Sequence, residues 1–63
     1  MTLQQYDPVR LRVDRPDWGL ARGSTGIVVD VYDRPRRAYE VEFLALDGRT
    51  LGVWTVEAEE IEF

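Results

Sequence analysis

The chain has 63 residues, 12 acidic and 8 basic, with a formal charge of −4 and no cysteine or histidine. That length fits a single domain, residues 1–63, and the composition excludes disulfide staples, thiolate chemistry and the usual zinc ligands. All eight basic residues are arginines, and a net acidic chain is poorly suited to sequence-independent binding of nucleic acid or anionic membrane, which rests on positive charge.

Residues 1–6 are mostly polar and expected to fray. Val9-Arg10-Leu11-Arg12-Val13 alternates strictly and predicts a first strand, with Val9, Leu11 and Val13 facing a core. Residues 14–25 are rich in Pro, Gly and Asp and lack periodicity, so they read as a long loop with Leu20 as its apolar plug. The second strand is Ile27 to Tyr32. Val28 and Val31, three apart, both face inward only if a β-bulge lies between them. Asp33 to Arg37 is a turn. Ala38 to Leu44 is a third strand with Tyr39, Val41 and Phe43 on one face and Glu40 and Glu42 on the other.

Asp47-Gly48 signals a two-residue hairpin turn, whose type I′ form needs positive φ at both positions. That turn pairs Phe43 with Gly52, Val41 with Trp54 and Tyr39 with Val56 on the core face. Leu44 then meets Leu51, Glu42 meets Val53 and Glu40 meets Thr55 on the other. A three-residue turn slips the register by one and turns Trp54 outward. Residues 56–60 predict one acidic helical turn. Ile61 to Phe63 predicts a last strand beside the first, with Glu60 and Glu62 facing Arg10 and Arg12.

These elements describe an all-β fold: a small five-stranded antiparallel SH3-like barrel with one long loop and a short helical turn before the last strand. The expected core is Val9, Leu11, Val13, Val28, Val31, Tyr39, Val41, Phe43, Val56 and Ile61, joined by Trp54 in the two-residue register. No apolar run approaches the roughly 20 residues of a membrane span, and the start lacks a charged-then-apolar signal pattern. The expectation is a soluble, cytoplasmic chain without a membrane partner.

Catalysis is not expected. Without His, Cys or Lys the common bases and covalent nucleophiles are missing. The carboxylates lie on a strand's solvent face or crowd one acidic turn, and so small a domain has no room for a cleft of roughly 300 Å3. No catalytic residue, metal or cofactor is assigned. Gly23-Ser24-Thr25-Gly26 is no phosphate loop, because Ile27 and a strand follow where a lysine and a helix are required.

Three groups remain as binding candidates. Arg34, Arg36 and Arg37, on a Pro-stiffened loop tip, read either as an anion or nucleic-acid contact or as a solvated turn paired with Asp30, Asp33 and Glu40. Trp18 reads either as an interface residue or as a loop anchor on the barrel end. Leu44, Leu46, Leu51 and Val53 share the outer face of one hairpin, and a contiguous apolar patch there marks an interaction site unless the long loop or a bulge covers it.

The residues Asp14-Arg15-Pro16, Gly19-Leu20, Gly23, Gly26 to Tyr32, Tyr39 to Phe43, Asp47 to Thr50 and Thr55 resemble a family of short bacterial proteins, the domain of unknown function numbered 4926. The resemblance runs from Asp7 to Ile61. It implies a stand-alone SH3-like barrel and carries over no activity or site. Members of that family are often encoded beside a toxin, which suggests an antitoxin or immunity-like role. More distantly the outline is similar to the small stromal barrel protein of photosystem I, which serves as a docking surface. Gly23 to Val31 is also similar to the KOW motif, although the basic loops that accompany nucleic-acid binding there are lacking.

The functional expectation is a non-catalytic protein-binding module. Trp18, Leu44, Leu46, Leu51 and Val53 would contact another protein, for which a basic one is the natural match, or a second copy of the chain. The alternative is a nucleic-acid-binding accessory acting through the Arg34 to Arg37 loop.

Overall fold

The structure is a computed structural model and describes residues 3–63; the expected fraying of Met1 and Thr2 lies outside the described residues. Five strands, β1 (Pro8–Leu11), β2 (Thr25–Tyr32), β3 (Ala38–Leu44), β4 (Thr50–Glu57) and β5 (Ile61–Glu62), form one antiparallel sheet in the order β4-β3-β2-β1-β5. Two 3-10 turns, Pro16–Trp18 and Ala58–Glu60, complete it. The sheet is not closed into a barrel. β5 has two residues and pairs only with β1, so β4 and β5 remain edges.

Alternation places the core. Val9 and Leu11 of β1, Val28 of β2, Tyr39, Val41 and Phe43 of β3, Val56 of β4 and Ile61 of β5 are all buried, and Leu20 plugs the group from the long loop as expected. Val31 and Trp54 pack against it half-buried. Val13 does not join and is 41% exposed. β1 stops at Leu11 because Asp14 accepts the Arg22 N–H at 2.7 Å, which draws the chain into the loop before Val13 can pair. Residues 3–6 have contacts with the sheet: Leu3 packs on the core, the Tyr6 N–H donates to the Val28 carbonyl at 2.6 Å, and the Gln5 side-chain amide donates to that of Val29 at 2.9 Å.

The expected bulge in β2 is present. Val28 opposes Val41 and Asp30 opposes Glu40, so Val29 is the inserted residue that allows Val28 and Val31 to turn the same way. β2 begins earlier than its apolar run, at Thr25, and includes Gly26. The two glycines thus do different work. Gly23 turns the chain at φ +92°, whereas Gly26 lets β2 approach β3, since a Cβ there would lie 2.7 Å from the Glu42 carbonyl oxygen.

The β3–β4 hairpin reaches the expected core register by another route. Gly48 has φ +91° but Asp47 has no positive φ, so the turn is not type I′. Asp47 accepts the Arg49 N–H at 3.1 Å, and Ala45 pairs with Arg49 around the three-residue loop Leu46-Asp47-Gly48. Such a loop shifts the register by one. A bulge at Leu51 then absorbs the shift: Leu44 opposes Thr50, Phe43 opposes Gly52, and Trp54 stays inward opposite Val41. The expected Leu44–Leu51 pair is therefore replaced by Leu44–Thr50.

Candidate functional site

Trp18 is held on the core side of the sheet. Its 3-10 turn begins at Pro16 and ends at Gly19, whose φ of +72° closes the turn. The Arg15–Leu20 bridge ties the two ends of that segment together. The Trp18 indole lies against Trp54, ring centroids 5.0 Å apart and planes 12° from parallel, and the Arg15 guanidinium covers its other side at 3.5 Å. Arg15 is itself fixed by Asp17 at 2.9 Å and Glu60 at 2.5 Å. The hydrogen bond to Asp17 raises the Arg15 pKa and lowers that of Asp17. This stack anchors the long loop, and it takes Glu60 away from Arg10 and Arg12. Among the described residues Glu62 alone serves those two, at 3.4 and 3.8 Å.

The hairpin residues lie elsewhere. Val53 opposes Glu42 on the face away from Trp54. Leu44 is half-buried, Leu46 is fully exposed in the loop, and Leu51 and Val53 are 46% and 47% exposed. The Thr50 hydroxyl donates to the Glu42 carboxylate, and that of Thr55 to Glu40 at 2.7 Å, so polar pairs flank the apolar residues. Leu46, Leu51 and Val53 thus lie exposed on the β3–β4 hairpin, apart from Trp18, which packs against Trp54.

Arg34, Arg36 and Arg37 occupy the loop between β2 and β3, at the opposite end of β3 from the hairpin loop. Arg37 pairs with Asp33 at 2.7 Å and Arg36 with Glu57 at 2.9 Å. Hydrogen bonding to Tyr39 raises the Arg37 pKa, and the charge of Glu40 raises that of Tyr32 beside this loop. Of the three acidic partners expected for this cluster, Asp33 is used; Glu57 was not foreseen, because only folding brings the end of β4 beside this loop.

A shallow depression of about 230 Å3, lined by Pro8, Val9, Arg10, Thr25, Gly26 and Phe63, is mainly apolar. Among the described residues no group of three or more His, Cys, Asp or Glu could hold a metal ion, and no helix is long and apolar enough to cross a membrane. Residue-by-residue reasoning allows an open edge strand but does not place it; the strand order puts the long one at β4. No pattern within the strand signals this, because the strand order alone decides which backbone side is unpaired.

No curated protein and no solved structure matches the chain. The model of one family, Domain of unknown function (DUF4926), matches residues 5–63, nearly the whole chain, and the protein therefore belongs to that family.

Proposed function

We propose that this protein is a non-catalytic protein-binding module that docks another protein on its β3–β4 hairpin. The observation that supports this reading is the grouping of exposed apolar side chains. Among the described residues seven large hydrophobics are exposed, and three of them, Leu46, Leu51 and Val53, belong to that one hairpin. Apolar side chains grouped in this way mark interaction surfaces, whereas single ones do not. The net charge of −4 favours encounter with a basic partner. An antitoxin or immunity-like role, masking such a partner, is the narrower form of the proposal. Trp18 contributes by anchoring the loop and is not the main contact. The nucleic-acid reading is weaker, because Arg36 and Arg37 are already engaged by Glu57 and Asp33.

Affinity capture from native lysate, with and without nuclease, tests the proposal when the wild type is compared with Leu51→Asp. A stoichiometric, nuclease-resistant protein retained by the wild type and lost by the variant is expected. Capture of nucleic-acid-associated proteins that nuclease releases, unaffected by Leu51→Asp, would overturn it.

A further inference from the structure

The face of the sheet turned away from the core is ordered in rows across the strands. Directly paired residues of antiparallel strands put their side chains on the same face. The pairs Pro8–Ile27, Ile27–Glu42 and Glu42–Val53 therefore make one row over β1, β2, β3 and β4. Pro8 and Val53 are exposed and Ile27 is half-buried, so this row is apolar apart from Glu42. The next row carries Asp30, Glu40 and Thr55. Leu44, two residues on from Glu42 along β3, extends the same face on the other side.

The carboxylates of this face lack a cation. Among the described residues no ion pair includes Asp30, Glu40 or Glu42. Glu40 and Glu42 are half-buried and held by the hydroxyls of Thr55, at 2.7 Å, and Thr50. Asp30 stands directly opposite Glu40, a like-charge pair that disfavours the free sheet. The charge of Glu40, with burial and the charge of Asp30, also raises the pKa of Tyr32 alongside.

We propose that this face receives an arginine-bearing segment of another protein. Its cations pair with Glu40 and Glu42, and its apolar side chains rest on Ile27, Leu44 and Val53. Charge chooses the occupant. A second copy laid face to face would set acids against acids, and the phosphates of nucleic acid or anionic lipid would meet the same repulsion. A basic protein segment instead relieves the repulsion between Asp30 and Glu40 and pairs carboxylates whose positions are already fixed. Arginine fits better than a compact ammonium, because its stem covers apolar surface while its planar head pairs with a carboxylate. Glu40 and Glu42 lie two residues apart on one strand, about 7 Å, which matches cations at alternate positions of an extended segment. This inference rests on the hairpin-docking reading, with which it shares Val53, and adds what the partner must carry.

The test is an NMR titration of isotope-labelled protein with an acetylated peptide of alternating arginine and valine. A second peptide carries citrulline, the neutral counterpart of arginine. The arginine peptide is expected to shift the amides of Ile27, Glu40, Glu42 and Val53, and the citrulline peptide to leave them in place. Glu40→Gln and Glu42→Gln together weaken binding by about tenfold, the loss of two surface ion pairs. The urea midpoint of that double variant stays unchanged or rises, since a repulsion goes with the charges and the glutamine carbonyls still accept from the threonines. Carboxylates with a purely structural role would lower the midpoint instead, and that result overturns the proposal. So does binding that the double variant leaves unchanged, equal binding of the citrulline peptide, shifts centred on another face, or no binding. If the double variant does not fold, the comparison of the two peptides decides. Capture with Leu51→Asp reads the docking itself. A partner lost by that variant, together with a peptide indifferent to Glu40 and Glu42, refutes this inference and leaves docking standing. Capture unaffected by Leu51→Asp refutes docking.

Discussion

Trp54 folds its six-membered ring over Gly52, two residues before it, so that a Cβ on Gly52 would stand 2.8 Å from Cζ3 of the indole. Both residues face the core side of β4, and Trp18 lies on the far side of the same ring. A glycine, two indoles and a guanidinium are thus piled in order from the strand outward to Arg15.

Gly52→Ala is therefore expected to displace the Trp54 ring and cost about 1–3 kcal/mol, the usual range for overpacking a filled site. Urea unfolding followed by tryptophan fluorescence measures the loss, and near-UV circular dichroism reads the loss of indole stacking. An unchanged near-UV spectrum and midpoint would show that the ring does not rest on this glycine.

Trp18 and Trp54 should couple energetically. Trp18→Ala and Trp54→Ala each destabilise the fold. The double variant loses less than their sum by about 1 kcal/mol, the magnitude of a stacked aromatic pair beyond its area burial. A double-mutant cycle in urea gives this term directly. Strict additivity would mean that Trp18 anchors the loop through its other neighbours, Phe43 at 6.3 Å and Arg15, and not through Trp54.

Acid should loosen the same loop. The Arg15 hydrogen bonds at 2.9 and 3.2 Å hold the Asp17 carboxyl below its ordinary 3.8, so the folded state favours the ionised form. That stabilisation is complete above 3.8 and is lost as the pH falls through the lower folded value. Arg15 is shifted upward, so its own share persists until strongly alkaline pH. Thermal melts at about pH 7 and about pH 3 should differ less in Asp17→Asn than in the wild type. An equal difference in both would place the acid sensitivity elsewhere.

What the sequence determined by itself is the local pattern. Period-two alternation assigned β1 and β3, the spacing of Val28 and Val31 required the bulge at Val29, and Leu20 was the apolar residue available to plug the loop. Family membership was also legible, from matched spacing along most of the chain. Burial of alternate side chains is a property of neighbouring residues, so it can be read from them.

Tertiary structure decided the rest. Asp47-Gly48 fits two hairpin loops, and the choice fell to a three-residue loop because a compensating bulge at Leu51 keeps Trp54 inward, where Trp18 and Gly52 receive it. Val13 continues the alternation of β1 but is left exposed, since Asp14 has a partner eight residues on. Glu60 and Arg15, 45 residues apart, meet only through folding. Above all, no pattern within Thr50–Glu57 tells whether that strand is central or an edge. The strand order makes it an edge, because β5 is too short and already paired with β1, and that leaves one side of β4 open.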